Sequence, residues 1–243
     1  MKILAFDSTA KIASVALAEE ERLLAVMTAS NGLTHSEILL PMAQDVCARA
    51  KTALSEMDYY AVTVGPGSFT GVRIGVATVK GLAFRMPQDE KKRCVAVSTL
   101  EALAQNLFPL DGIYTAVMDA RRAEVYNALF EARDGALKRL TPDRAISLDC
   151  LAEELLTRYA GRPVRLVGDG YEIAYRTLVA RGVALLETPL LLQSQNAGSV
   201  ALCACRMIRR GETVSDRALA PVYLRLPQAE RERLEKIKEN KSE

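Results

Sequence analysis

Histidine is almost absent from this sequence, since His35 is the only one in 243 residues. A zinc or iron site built on several histidines therefore cannot form within one chain, because the imidazole ligands are missing. An excess of charge is lacking too, because 32 basic and 30 acidic residues leave a formal net charge of +2. This balance gives no global attraction to nucleic acid, so any contact with RNA must rest on a local patch or on a partner.

Long hydrophobic runs and paired cysteines are also lacking. No apolar stretch reaches the roughly 20 residues of a membrane-spanning helix, and Asp7 follows the first apolar residues too soon for a signal peptide. The five cysteines are an odd number and are scattered along the chain. We therefore expect reduced thiols, a cytoplasmic protein and no membrane association. Cys203 and Cys205 lie in an apolar helical run, which indicates buried helix cysteines.

The sequence does contain a repeated order of strands and turns. An apolar segment from Lys2 to Phe6 ends at Asp7 and is followed by two further strand-like segments. An apolar segment from Ile113 to Met118 likewise ends at Asp119, and two strand-like segments follow it. The two series share little identity, but they agree in order and in the position of the aspartate. A duplicated unit of this kind predicts two similar α/β domains that face each other across a cleft.

This arrangement is that of actin, sugar kinases and chaperone ATPases, so we expect an actin-like α/β fold. Residues 1–108 are predicted to form the N-terminal domain, joined by helix residues from about 197 onward, and residues 109–196 to form the C-terminal domain. Residues 228–243 are nearly all charged and are expected to be a solvated tail. In this fold the acids that end the two first strands, Asp7 and Asp119, lie beside the phosphate-binding turns.

A helix is predicted to begin after Thr34. Thr34 and Glu37 have the spacing of a capping box, and the apolar residues that follow recur at helical spacing. Pro41 lies in the second turn, so we expect it either to kink the helix or to move its regular start to a later residue.

The segment from Gly65 to Gly75 is the most distinctive part of the sequence. It joins a strand-like run to a helix-like run, and Gly71 and Gly75 leave one helical face as bare backbone. That face could cradle a ligand or admit another helix. No Gly-Lys-Ser/Thr ends the segment, and its glycine spacing is not that of a dinucleotide-binding turn. We therefore expect Gly71, Gly75 and Thr78 to form a groove for a second helix.

Polar residues at three strand ends are candidate ligand groups. Asp7-Ser8-Thr9 could hold a phosphate, with Asp7 binding Mg²⁺, or could simply be a turn that joins two strands. Asp119 ends the matching strand, but no glycine follows it that would let backbone amides close on a phosphate. Gly168-Asp169-Gly170 fits either an adenosine loop or a tight turn at a strand end, and the turn is favoured.

Five pieces of the sequence together resemble the TsaB family, also called YeaZ. They occur in family order and cover nearly the whole chain, and the glycine segment is the most specific of them: Leu4-Ala5-Phe6-Asp7-Ser8-Thr9, His35-Ser36-Glu37-x-Leu39-Leu40-Pro41, residues 65–75, Asp119-Ala120-Arg121-Arg122-x-Glu124-Val125-Tyr126, and Pro221-x-Tyr223-Leu224-Arg225. The resemblance implies a partner protein in the synthesis of threonylcarbamoyladenosine beside the tRNA anticodon. It further implies a homodimer when alone, the partners TsaD and TsaE, and contact with tRNA only through the complex.

The resemblance also implies that this chain is not the catalyst. TsaD performs the transfer and holds its metal with a His-x-x-x-His pair, whereas this chain has His35 and then Leu39. No metal or cofactor is expected in the isolated chain, although the family allows a nucleotide at the junction with TsaD. The helices after His35 and Gly71 are implied as the homodimer and TsaD surface, formed by His35, Glu37, Leu39, Met42, Gly71, Val72, Arg73, Gly75, Val76 and Val79.

Two questions stay open from the sequence. Arg121 and Arg122 lie at a predicted hairpin tip, where they could contact a partner protein or tRNA or remain a solvated turn. The alternative function is an actin-fold, ATP-dependent kinase or ATPase that uses Asp7 and Asp119 with Mg²⁺.

Overall fold

Two β-sheets organise the computed structural model, which describes residues 1–84 and 93–225. The first sheet contains β1 (Lys2–Asp7), β2 (Ala13–Glu19), β3 (Arg22–Ala29), β4 (Tyr59–Gly65) and β5 (Cys94–Ser98). The second contains β6 (Gly112–Asp119), β7 (Glu124–Arg133), β8 (Ala136–Arg139), β9 (Arg144–Ser147), β10 (Val164–Val167) and β11 (Leu185–Leu186).

The two sheets repeat one strand order. It is β3-β2-β1-β4-β5 in the first sheet and β8-β7-β6-β10-β11 in the second, where β9 also pairs with β7. In each sheet the first three strands of the series are antiparallel and the next two are parallel. The predicted fold class is confirmed: two similar α/β halves, duplicated as in the actin-like fold.

The described α-helices form three layers around the two sheets. Helices α1 (His35–Arg49) and α2 (Phe69–Phe84) cover the outer face of the first sheet, and α4 (Leu148–Arg158) and α5 (Tyr171–Ala180) cover that of the second. Helices α3 (Thr99–Leu107) and α7 (Ala197–Arg209) pack on each other between the sheets. A short helix α6 (Leu190–Gln193) precedes α7, and a 3-10 helix spans Leu54–Glu56. None of these helices is long and apolar enough to cross a membrane.

Alternation of side chains along the strands explains this layering. In β1, Leu4 and Phe6 face α1 and α2, whereas Ile3 and Ala5 face α7. Successive side chains of a strand point to opposite faces, so a strand that is apolar throughout must be covered on both. The face toward α7 is rich in alanine, and α7 meets it with alanines of its own. Small side chains on both surfaces let the helix approach the sheet closely.

Helix α7 therefore packs on the first sheet, although it follows the second half in sequence. Its Cys203 and Cys205 are buried and unpaired, as the sequence indicated. The division into residues 1–108, 109–196 and a returning C-terminal helix stays a prediction. The tail at 228–243 lies outside the described residues.

The predicted groove for a second helix is wrong. The bare face of α2 is filled by the chain itself, because the Ser8 hydroxyl donates to the Gly71 carbonyl at 2.8 Å. A Cβ at Gly71 would lie 2.0 Å from the Ser8 carbonyl oxygen, and a Cβ at Gly75 would lie 2.5 Å from the Ser8 hydroxyl. The two glycines are required for contact between α2 and the turn after β1, and they are unavailable to another subunit.

The remaining differences from the predicted elements are local. Helix α1 begins at His35, and the Thr34 amide donates to the Glu37 carboxylate at 3.2 Å. The start is thus not displaced by Pro41, which lies inside the helix. The apolar side of α1 is buried against the sheet on both sides of the proline, and this packing holds the helix together there. Strands β9 and β11 and helix α6 were not expected from the sequence.

We predict that Gly71→Ala destabilises the protein and that Gly81→Ala does not. The new methyl group at Gly71 would collide with backbone, which costs about 1–3 kcal/mol or more. A Cβ at Gly81, on the same helix, would meet nothing within 4 Å, so alanine there should add up to about 1 kcal/mol of helix propensity. Urea unfolding of both variants measures the difference, and equal stabilities would contradict the contact with Ser8.

Candidate functional site

A cleft of about 740 Å³ lies where the first strands of the two sheets end. The turn after β1 and the N-terminus of α2 form one wall, and the ends of β6 and β10 form the other. The segment that precedes α7 and the C-terminal segment complete the lining, whose polar and aromatic members include Thr9, Lys11, Ser68, Phe69, Asp119, Arg121, Tyr126, Asp169, Gln195, Tyr223 and Arg225. Ligand sites of such α/β sheets lie in a crevice at strand ends, so this is the candidate site.

Asp7 is used to build the turn. Its Oδ1 atom accepts hydrogen bonds from the Thr9 amide at 2.9 Å and from the Thr9 hydroxyl at 2.7 Å. Only 1% of the residue is exposed, and this burial raises the pKa of Asp7 to about 6. Ser8 turns away from the cleft toward Gly71. Of the three predicted ligand residues, only Thr9 lines the cleft.

Asp119 and Asp169 lie together at the ends of neighbouring strands. The Asp119 amide donates to Asp169 Oδ1 at 3.3 Å, and the Arg121 amide donates to Asp119 Oδ1 at 2.7 Å. Protein atoms around the Asp169 carboxyl desolvate it and so raise its pKa, although part of the residue remains open to the water of the cleft. The negative charges of Asp119 and Asp7 add to this rise. Among residues 1–84 and 93–225, no three His, Cys, Asp or Glu side chains are grouped to hold a metal ion.

Arg121 and Arg122 lie at the tip of the β6–β7 hairpin, and both are exposed. Together with Ala123 they have φ angles of 66°, 56° and 57°, so three consecutive non-glycine residues are left-handed. Each such residue costs roughly 1–2 kcal/mol. A backbone that bears this cost presents both arginine side chains outward at the rim of the cleft, which suits contact with another molecule.

Most residues expected at the partner surface are buried in the chain's own core. They are Leu39, Met42, Gly71, Val72, Gly75, Val76 and Val79. The apolar spacing that marked these positions is the spacing of the core-facing side of each helix. A partner surface on these two helices stays a prediction. Glu37 and Arg73 are exposed, and His35 is half-buried with its Nε2 donating to the Ala10 carbonyl at 2.7 Å.

Several residues of the cleft were missed in the sequence. Asp169 was assigned to a tight turn, whereas it also faces the cleft. The Oε1 atom of Gln195 is buried at the cleft lining without a described partner. Phe69, Tyr223 and Arg225 also line the cleft. The sequence did single out Pro221-x-Tyr223-Leu224-Arg225, but no spacing rule could show where this segment lies in the fold.

A family model described as TsaD, tRNA N6-adenosine threonylcarbamoyltransferase, matches residues 30–232. The tRNA threonylcarbamoyladenosine biosynthesis protein TsaB of Escherichia coli (strain K12) is 31% identical over 229 residues, which are 93% of this chain and 95% of that protein. The chain belongs to the TsaB family. The TsaB protein of Bacillus subtilis (strain 168) is 33% identical over 168 residues, which are 69% of this chain and 71% of the relative.

Solved structures agree with this membership in the TsaB family. YeaZ from Pseudomonas aeruginosa superposes with a TM-score of 0.72 at 30% identity, covering 92% of this chain and 99% of that chain. The agreement extends over both halves, so the cleft between them belongs to the shared fold.

We predict that Asp7→Asn stabilises the protein at neutral pH and loses this advantage in acid. The folded state raises the pKa of Asp7 from 3.8 to about 6, so it binds more protons than the unfolded state between these values. Wild-type stability therefore falls as the pH rises through this window, by up to about 3 kcal/mol for two pH units. Asparagine retains an Oδ1 acceptor for Thr9 but carries no charge.

Urea unfolding of wild type and variant from about pH 4 to about pH 8 measures this difference. Glu153→Gln, which removes an exposed carboxylate of α4, controls for the general loss of one negative charge. A stability gain from Asp7→Asn that did not grow with pH would contradict a buried carboxylate with a raised pKa.

Proposed function

We propose that this chain is a non-catalytic partner subunit in tRNA threonylcarbamoyladenosine synthesis, acting with TsaD and TsaE. Relatives that share most of its length carry the name of that biosynthesis, and the matching family model bears the name of the transferase. In this proposal the chain is a homodimer when alone and exchanges that contact for TsaD. It meets tRNA only within the complex.

The environment of His35 is the observation that carries the non-catalytic role. Its Nε2 is engaged with the Ala10 carbonyl, and position 39, where the TsaD metal pair has its second histidine, holds a fully buried leucine. A second histidine at that position would have to point into the core of the first half. The chain thus has the folded frame of the transferase family but lacks the imidazole pair for its metal.

The outward sides of α1 and α2 are the surface we propose for these partners. Leu33, just before α1, is 55% exposed, and Leu40, on α1, is 43% exposed. Pro41 is also exposed. Ala77 is exposed on α2, which packs beside α1. Exposed apolar side chains on two neighbouring helices form a surface that another subunit can bury.

We predict that tRNA modification by TsaD and TsaE requires this chain. Reconstitution with purified TsaD, TsaE, ATP, a donor of the threonylcarbamoyl group and unmodified tRNA should yield modified adenosine only when the chain is added. The yield should depend on its stoichiometry with TsaD. Equal modification with and without the chain would refute the partner role, and modification by the chain alone would refute its catalytic silence.

We further predict that Leu40→Arg weakens pairing and that Leu156→Arg does not. Both leucines are exposed helix residues, at 43% and 42%, so both variants should fold. An arginine at position 40 would place a charge within the proposed apolar contact, which typically costs several kcal/mol when the charge is left unpaired. Analytical ultracentrifugation, alone and with TsaD, measures both associations. Unchanged association of the Leu40→Arg variant would contradict a partner surface that includes Leu40.

The alternative of an ATP-dependent kinase or ATPase draws support from the size of the cleft and from its aspartates. Its ligand residues fit the task poorly, because Asp7 Oδ1 is engaged by Thr9 and Ser8 donates to Gly71. Calorimetric titration of the isolated chain with ATP and Mg²⁺ separates the two functions. Binding at micromolar concentration would favour the enzyme.

A further inference from the structure

The C-terminal segment Val214–Arg225, here called the strap, runs along the first half and ends in the second. Val214 forms two backbone hydrogen bonds with Cys94 of β5, at 3.0 and 2.9 Å. Leu219 is 1% exposed in the core under α2, and Lys80 donates to its carbonyl at 3.1 Å. The Val222 amide then donates to the Val64 carbonyl at 2.8 Å. The strap is therefore fixed to the first half along most of its length.

Gly65 is needed where the strap passes the end of β4. Its φ is +122°, and a Cβ there would lie 2.4 Å from the Val222 carbonyl oxygen. The glycine segment thus admits the strap's backbone at Gly65, just as Gly71 admits the turn after β1. Both close approaches depend on the missing side chain.

Tyr223 is held by the N-terminal turn of α2. Its ring stacks on Phe69 with centroids 4.8 Å apart, and the Arg73 Nε donates to its hydroxyl at 2.9 Å. The Arg73 guanidinium also lies 3.9 Å from the centroid of the Phe69 ring. Aromatic stacking and a cation over a ring both add to the stabilisation that burial alone provides. The exposed Arg73 is therefore engaged within the chain.

The last described residue of the strap reaches the other half. Arg225 Nη2 lies 2.6 Å from Glu124 Oε2 at the start of β7, and the two side chains are only 18% and 34% exposed. This pair joins two of the sequence pieces singled out above, Pro221–Arg225 and Asp119–Tyr126. Tyr223 joins the first of them to the glycine segment.

We propose that the strap is a latch that sets the width of the cleft. The packed layer of α3 and α7 lies between the sheets and serves as the hinge, while Arg225 and Glu124 join the halves at the rim, on the strap that lines the cleft. A contact at the rim, away from the hinge, resists opening with a longer lever than one near it. When the pair is broken, the strap stays bound to the first half through Tyr223, and the second half loses this contact at the rim.

The latch is independent of the proposed function, because it concerns the relative position of the halves within one chain. Its test is a distance across the cleft. Spin labels at Thr70→Cys and Arg176→Cys, which are exposed positions on α2 and α5, report that distance in a Cys150→Ser background. The four other cysteines are buried. Dilution with unlabelled full-length protein confines the measurement to one chain.

Arg225→Gln and Glu124→Gln are each expected to shift the distance distribution to longer values and to broaden it. The exchanged pair Glu124→Arg with Arg225→Glu should return it toward that of the wild type. Arg181→Gln is the matched control, because it removes an arginine from a pair of equal length, 2.6 Å to Asp149, that lies within the second half. It should leave the distribution unchanged.

Unchanged distances in both single variants would overturn the latch. An equal shift in Arg181→Gln would overturn it too, because the effect would then follow from the loss of any arginine. A shift that the exchanged pair fails to reverse would assign the change to something other than the ion pair and would also count against the latch. Circular dichroism of each variant verifies that the fold is intact.

Discussion

The close contact between the turn after β1 and the first turns of α2 determines the position of most of the candidate site. The turn can lie against the helix only because positions 71 and 75 have no side chains. In return, the turn binds the loop before the helix, since the Ser68 amide donates to the Thr9 carbonyl at 2.7 Å. This contact fixes the position of Phe69, and Tyr223 of the strap stacks on that ring. The first wall of the cleft is thus one interlocked unit, built from three separate parts of the chain.

Much of the fold could be predicted from the sequence, because the information is local. The aspartates that end β1 and β6 occupy equivalent positions in two series of apolar, strand-like segments. Residue patterns of this kind are compatible with few structures other than β-strands. Ser98, a residue type that is common at the N-cap position, caps α3, with the Glu101 amide donating to its hydroxyl at 3.3 Å. Local propensity and long-range packing agree at these points, which is typical of a chain with little frustration.

The candidate site was predicted less well, because its contacts join residues far apart in sequence. The spacing of Gly71 and Gly75 shows that one face of α2 is bare, but not what covers that face. The same spacing is expected for a helix that docks on another subunit and for one that docks on its own sheet. Likewise, no local pattern could show that Tyr223 stacks on Phe69, or that Asp169 lies next to Asp119.

The inward direction of the glycine face changes where specificity for a partner must reside. A close-packed interior tolerates few substitutions, so residues such as Gly71 and Val76 are constrained by folding whether or not a partner exists. A family motif at such positions therefore reports the architecture of the cleft wall rather than the identity of what binds. In the proposed partnership, recognition would then rest on exposed neighbours such as Leu40 on α1 and the left-handed tip at Arg121 and Arg122. These side chains can vary without disturbing the core, so under that proposal they are the positions through which one actin-like frame would be fitted to different partners.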